Sequence, residues 1–270
     1  MTVWVAGASS GLGLSIARAL RDAGHTVIAG SRSFHGGEKE GIHTLPLDVT
    51  DQASVDTFAR AALSLSPTVD ALVDAAGILM LGSCEETSVE EYRRVLETDF
   101  LGMVRMNDAV LPLMRAQGHG RVLMLSSING LLGIPFQSAY TAAKHAVEGY
   151  AECLAMEVRP FGIEICLVEP GDHRGGGQTC RLRSAAMGDA SPYAAAYASA
   201  VSVIRHDEAN GSDPDRLGRK VAALLRRRRL PFRKRIASAD QHLAVWLHDV
   251  LPPSLNAAVL RAYYIKKDRR

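Results

Sequence analysis

Cysteine is scarce in this chain of 270 residues: Cys84, Cys153, Cys166 and Cys180 lie far apart, with no C-x-x-C pair. That spacing argues against a disulfide framework or a cysteine zinc site, and suggests reduced thiols in a cytosolic protein. No uninterrupted apolar run approaches the ~20 residues that a spanning helix needs. The opening MTVWVAG has no basic segment followed by a long apolar one, so no secretory signal is expected. Net charge is also small, at +2, but it is unevenly spread. Residues 201–270 hold 16 Lys and Arg against 7 Asp and Glu, leaving 15 against 22 for the first 200 residues. Any argument from a basic surface therefore belongs to the tail. No internal repeat is visible. A soluble, cytoplasmic protein is the expectation.

What the chain does have is alternation. Short apolar runs at 2–6, 25–30, 42–47, 69–75, 121–127 and 163–168 read as buried strands. Between them, 12–23, 51–65, 88–115 and 138–159 have the length and periodicity of helices. Strands alternating with helices predict an α/β fold: one domain, 1–270, with a doubly wound parallel sheet flanked by helices. The alternation stops near Pro170. Residues 172–215 are rich in Gly, Ala and Ser, with a glycine triplet at 175–177, and read as a long lid loop. Residues 216–270 follow as a basic helix, from Asp215 to Arg229, and two short apolar helices split by Pro252-Pro253.

The first strand runs straight into GASSGLG, with Gly7, Gly11 and Gly13 ahead of an amphipathic helix. Side chains at Gly11 or Gly13 would block a close ligand, and the free N–H groups of the following helix suit a pyrophosphate. Many tight turns also hold three glycines, but few sit between strand and helix at the start of an α/β chain. Further on, SAYTAAKHAVEGY places Tyr140 and Lys144 four residues apart, on one face of a helix. A free phenol with a pKa of ~10 is a poor base near neutrality. A fixed ammonium beside it favours the phenolate and makes proton exchange with an alcohol or ketone feasible.

Together the G-x-x-x-G-x-G loop and the Y-x-x-x-K pair resemble the short-chain dehydrogenase/reductase family over residues 2 to about 171. The resemblance implies a Rossmann-type cofactor-binding and catalytic core at 1–171, carrying out hydride transfer with nicotinamide. It implies that Tyr140 is the acid/base, that Lys144 also bonds the nicotinamide ribose, and that Ser127 orients the substrate; Ser126 is the alternative but is out of register. The loop residues Gly7, Ser9, Ser10, Gly11, Leu12 and Gly13 would hold the pyrophosphate. Asp48 and Val49 would meet the adenine, Ala75, Ala76 and Gly77 would line the cofactor, and Pro170 and Gly171 would form the nicotinamide-side turn. After the second strand the chain reads Ser31-Arg32 where an NAD-preferring enzyme has an acid. A hydroxyl and a guanidinium suit a 2′-phosphate, so NADP(H) is expected.

The chain departs from the family in three places. Asp74-Ala75 replace two asparagines of the usual N-N-A-G, losing amide groups that tie strands together. Asp99 stands for an asparagine that supports the lysine, and a carboxylate there would pair with Lys144 and alter the pH profile. Arg174 and Gly175 occupy the region where a threonine is common. Leu79, Leu131, Leu132, Phe136 and Val168 are the expected pocket walls, unless they are plain core, and their apolar character fits a bulky lipophilic ketone or alcohol. The tail is similar to that of hydroxysteroid and retinol dehydrogenases. The cluster Arg226–Arg229 with Arg233, Lys234 and Arg235 reads as a solvated helix end or as weak attraction to a membrane surface. Nucleic acid is not expected, because no recognised motif accompanies the charge, and neither is a metal. Relatives associate through the fourth and fifth helices, implying a homodimer or homotetramer. Against the enzyme stand two alternatives: a catalytically weak NADP(H)-binding regulator of the same fold, and a membrane-associated scaffold.

Overall fold

A computed structural model describes residues 1–175 and 181–265. Gly176, Gly177 and Cys180 lie outside the described residues. Eight strands form one sheet in the order β10-β8-β7-β5-β1-β2-β4-β3. The central members are β1 (Thr2–Ala6), β2 (Thr26–Ser31), β4 (Ile42–Pro46), β5 (Ala71–Asp74), β7 (Gly120–Leu125) and β8 (Ile163–Pro170). All of these pair in parallel. Their residues divide by period two between two cores. Trp4, Ile28, Leu72 and Val122 pack against α2 (Gln52–Leu65), α4 (Gly102–Gln117) and α5 (Ser138–Val158). Val3, Val5, Val27 and Val73 face α1 (Gly11–Asp22) and α7 (Pro214–Leu225). Being buried on both faces is what makes these strands continuously apolar.

Local chemistry fixes the element ends. Asp51 accepts a bond from the Ala53 N–H to start α2, and Ser88 and Glu91 form a reciprocal cap on α3 (Val89–Leu96). Gly218 lets α7 cross α1, because a Cβ there would sit 2.4 Å from the Ser15 carbonyl oxygen. Strand order reverses between β1 and β5, which opens a crevice at their carboxyl ends.

Several features differ from the sequence expectation. Arg233, Lys234 and Arg235 are not a solvated helix end: Arg233–Ile236 forms β10, parallel to β8 at the sheet edge. Arg233 bonds Glu148, Glu152 and Glu169, and Arg235 bonds Glu169 at 3.0 Å. The carboxylates of α5 and β8 therefore hold these cations in place. The helix α7 stops at Leu225, before the four arginines. Within 172–215 the chain is not all loop: β9 (Arg181–Arg183) pairs with β6 (Leu79–Leu81), and Ala194–Ala209 is the helix α6. The reason is compositional. On α6 only Ala200, Val201, Ile204 and Glu208 are buried, a stripe too small and mixed to show as periodicity. The edge strand β3 (Gly37–Lys39) is short and wholly exposed, so it leaves no apolar pattern. Both tail helices form, as α8 (Ala239–Val250) and α9 (Pro253–Tyr264). Among the described residues no helix is long and apolar enough to cross a membrane.

Candidate active site

The crevice leads into one cavity. Its floor is the β1–α1 turn, where Gly7 takes φ 80° and a Cβ would meet Ala76 backbone at 2.6 Å. A Cβ on Gly13 would lie 2.2 Å from the Gly7 carbonyl oxygen, so both glycines are needed to fold the loop against β5. Ser9, Ser10, Gly11 and Leu12 border the cavity beside them. Ser10 makes no capping bond to α1, and the first turn of α1 carries no acid. The orphan N–H groups there stay open, with the positive end of the helix dipole facing the cavity. An anionic pyrophosphate is the group such a cradle fits.

Along the same cavity lie Ser31, Arg32, Asp48 and Val49 on one side and Ala75, Ala76 and Gly77 on the other. Asp48 Oδ1 accepts from the N–H and hydroxyl of Thr50, at 2.9 and 2.7 Å. Arg32 is exposed and, among the described residues, has no hydrogen bond or ion pair to the protein. Pro170 and Gly171 close the far end. A Cβ on Gly171 would collide with Gln241 Oε1 at 1.9 Å, so this glycine admits α8 to the rim.

The reactive groups converge in the middle. Lys144 is buried; its ammonium donates to the Leu125 carbonyl at 3.0 Å and lies 5.4 Å from the centre of the Tyr140 ring. Ser127, at the end of β7, borders the cavity with Tyr140. Its Oγ accepts from the Asn129 N–H at 3.2 Å, which fixes the side chain. Ser126 Oγ is buried without a partner beside it. Tyr140 keeps some surface toward the cavity, yet enough protein surrounds the ring that burial pushes its phenol up. Lys144 and the Ser127 hydroxyl pull it back down, while Asp99 pushes it further up. Burial alone would lower the Lys144 ammonium, but Tyr140 and Asp99 outweigh it and hold it above its ordinary value.

Asp99 sits in a π-helical turn, Glu97–Leu101, between α3 and α4. Such a turn inserts an extra residue and commonly marks a functional position. Asp99 is fully buried; its Oδ1 accepts from the Ile78 N–H at 2.7 Å, and its Oδ2 stands 3.5 Å from Lys144 Nζ. Gly77 leaves it room, since a Cβ there would be 2.9 Å from Oδ2. Burial pushes this carboxyl up to about 6, against the pull of Lys144 and the Ile78 N–H. The expected pairing of Asp99 with Lys144 is present. At Asp74 both carboxylate oxygens are buried without a hydrogen-bond partner, and burial drives that group well above the ordinary range despite Lys144.

Of the expected substrate walls only Leu79 borders the cavity. Leu131 and Leu132 pack with Ile128 and Val201 in a neighbouring apolar cluster, and Val168 lies in the sheet core. Phe136 is buried edge-on against Tyr197, with ring centres 5.5 Å apart. The wall is instead supplied by Ile134, Asp172, His173, Ile204, Asp207, Glu208 and Tyr264. No local spacing flagged these residues, which come from the segment before α5, the β8 exit, α6 and α9. Arg174 is exposed, and its N–H donates to the Ser212 carbonyl instead of entering the site. Among the described residues no group of three or more His, Cys, Asp or Glu could hold a metal ion.

Residues 1–179 match the family model for short chain dehydrogenase. A 3-ketodihydrosphingosine reductase from Bacteroides thetaiotaomicron is 36% identical over 263 residues, covering 97% of each chain. Dehydrogenase/reductase SDR family member 7B from Xenopus laevis is 30% identical and covers 99% of this chain and 83% of its own. A crystal structure of a short-chain dehydrogenase from Streptomyces avermitilis superposes with a TM-score of 0.80 at 33% identity, over 96% of this chain and 95% of the other. A chain with a glycine cradle on an uncapped helix, opening beside a lysine-backed tyrosine, is thus matched along nearly its whole length by proteins of one kind: this chain belongs to the short-chain dehydrogenase family of oxidoreductases.

Proposed function

We propose that the protein reduces a ketone or aldehyde on a lipophilic substrate with NADPH, or oxidises the corresponding alcohol with NADP. The observation that carries the reading is the convergence of Ser127, Tyr140 and Lys144 on the cavity that also holds the glycine loop. Bound nicotinamide would give or take the hydride. In reduction, Tyr140 Oη donates its proton to the carbonyl oxygen while the Ser127 hydroxyl donates a hydrogen bond to the same atom. Lys144 then stabilises the phenolate left behind. Because burial holds the phenol high, its protonated form prevails near neutrality, and that is the form a reductase uses. The free guanidinium of Arg32 supports the choice of NADP over NAD, as does the NADP-bound structure of ElxO, 28% identical with a TM-score of 0.61.

Leu79, Ile134 and Ile204 support an apolar substrate body. The Bacteroides relative is by its name a 3-ketodihydrosphingosine reductase, which supports a ketone as the reacting group. Exposed Leu101 and Met156, on or beside the fourth and fifth helices, support self-association there, and exposed Leu243, Trp246 and Val250 on α8 support weak contact with a membrane surface. The test follows NADPH absorbance with long-chain ketones. Tyr140→Phe is expected to lower kcat by roughly 100-fold or more while NADPH binding, read by fluorescence, persists. Unchanged turnover in that variant would refute the proton-transfer role. Binding of NADPH without consumption against any ketone would favour the regulatory alternative.

A further inference from the structure

Behind Ser127 stand two buried amides, Asn129 and Gln137, with no part in the cofactor cradle or in the proton transfer. Ser127 caps a short helical turn, Ile128–Gly130, where its Oγ accepts from the Asn129 N–H. Capping uses a lone pair and leaves the hydroxyl hydrogen free to be donated. That hydrogen faces Asn129 Oδ1, 3.4 Å from Ser127 Oγ. So long a bond is weak, and a substrate oxygen can take the hydrogen over at little cost. The other end of the same amide is firmly held. Asn129 Nδ2 donates to Gln137 Oε1 at 2.8 Å and lies 3.4 Å from Thr141 Oγ1. Turned over, it would set Oδ1 against Gln137 Oε1, acceptor against acceptor. Gln137 occupies the N-cap of α5 but makes no capping bond, because its amide oxygen goes to Asn129 instead. Ser127, Asn129 and Gln137 are 7%, 5% and 4% exposed, and all three border the cavity with Tyr140.

We propose that Asn129 and Gln137 are positioning residues: their paired amides clamp the exit of β7 to the start of α5, and so set the Ser127 hydroxyl against Tyr140. The proposal rests on the reductase reading for its chemistry. In that chemistry two hydroxyls from two different elements must meet one carbonyl oxygen, and a small misplacement of either is costly. Ser127 ends the strand and Tyr140 lies three residues beyond Gln137, so the clamp spans the gap between the two donors. Both donors act most strongly on the charge that develops in the transition state. Loss of the clamp therefore lowers kcat and leaves KM nearly unchanged. Amides that served folding alone would behave differently. Their removal would slow the reaction by the same factor whether or not Ser127 has its hydroxyl.

The experiment is a double-mutant cycle on the full chain, read as kcat for reduction of methyl octyl ketone by NADPH. Asn129→Ala and, separately, Gln137→Met are made in the parent and in Ser127→Ala. The backbone bonds of Gln137 to Ile134 and Thr141 survive these changes. In the parent each variant is expected to lower kcat roughly 10-fold, the scale of one lost hydrogen bond. In Ser127→Ala, itself slowed roughly 100-fold, neither should cost more than about 2-fold. Equal losses in the two backgrounds, or no loss in the parent, would overturn the clamp. Gln137→Met leaves the turn at 128–130 unchanged, so it keeps the test decisive if Asn129→Ala fails to fold. The cycle is also read without turnover, by titrating the NADPH-loaded protein with methyl octyl carbinol, which a reduced cofactor cannot oxidise. An affinity loss that disappears in Ser127→Ala, in a protein that consumes no NADPH with any ketone, would support the clamp and sink the reductase reading instead.

Discussion

Replacing Asp99 by asparagine removes a charge from the site while keeping the shape. The Ile78 N–H still finds an acceptor at the position of Oδ1, so the π-helical turn keeps its anchor. What changes is electrostatic. Oδ2 is 3.5 Å from Lys144 Nζ, which is 5.4 Å from the Tyr140 ring centre, so the carboxylate is at most about 9 Å from that ring. At that separation and an effective dielectric of about 20–40, a unit charge contributes roughly 1–2 kcal/mol, or about one pH unit. The ionised carboxylate opposes the phenolate, so its removal lowers the Tyr140 pKa. The expected result is an alcohol-oxidation profile of kcat/KM whose alkaline rise moves about one unit toward acid. The wild type should also show an inflection near 6, where Asp99 titrates, and the variant should lose it.

Stability gives the same perturbation an independent readout. A carboxyl raised above its unfolded value contributes stability that is fully present below the unfolded pKa and is lost as pH climbs through the folded one. Asp99, held at about 6, should therefore weaken the wild type between pH 4 and 7. The distance from the ordinary carboxylate range is worth roughly 2–3 kcal/mol. Urea midpoints of Asp99→Asn should escape that decline. Superimposable pH–rate profiles and parallel stability curves for the two proteins would refute the reasoning.

Three further outcomes follow from particular contacts. Arg32→Ala should lower kcat/KM for NADPH by roughly 10- to 100-fold, the scale of charge-assisted bonds to phosphate, and leave NADH use nearly unchanged; equal use of both cofactors by the parent would refute the role of Arg32. Gly13→Ala drives a Cβ to 2.2 Å from the Gly7 carbonyl oxygen, so NADPH affinity should fall with the melting temperature; intact binding would contradict the cradle. Arg233→Met leaves Glu148 and Glu169 buried with one cation fewer, Arg235 remaining on Glu169. A loss of about 2–4 kcal/mol in urea unfolding is expected, and none would mean that the edge strand is held by its backbone alone.

That last contact also explains what the sequence did and did not disclose. The six central strands and the helices between them were legible because each is buried on both faces or along one stripe, which stamps a period on the chain. The strand β10 has the composition of a solvated tail, R-K-R-I, and enters the sheet because Glu148, Glu152 and Glu169 await it from 64 to 85 residues away. No local pattern carries such information. The helix α6 is hidden for another reason, its buried stripe being only Ala200, Val201, Ile204 and one acid.

The site divides along the same line. Its cofactor side depends on backbone geometry within short contiguous stretches, so Gly7 to Gly13 and the pair Tyr140–Lys144 betray themselves by spacing. The opposite wall of the cavity is assembled from the segment before α5, the β8 exit, α6 and α9, and its members Asp172, Glu208 and Tyr264 have no fixed interval in the chain. The two sides are nevertheless coupled, since the Asp172 charge reaches the Tyr140 phenol. A group that neutralises Asp172 alters proton transfer without touching the tyrosine. The far wall can therefore tune proton transfer at Tyr140.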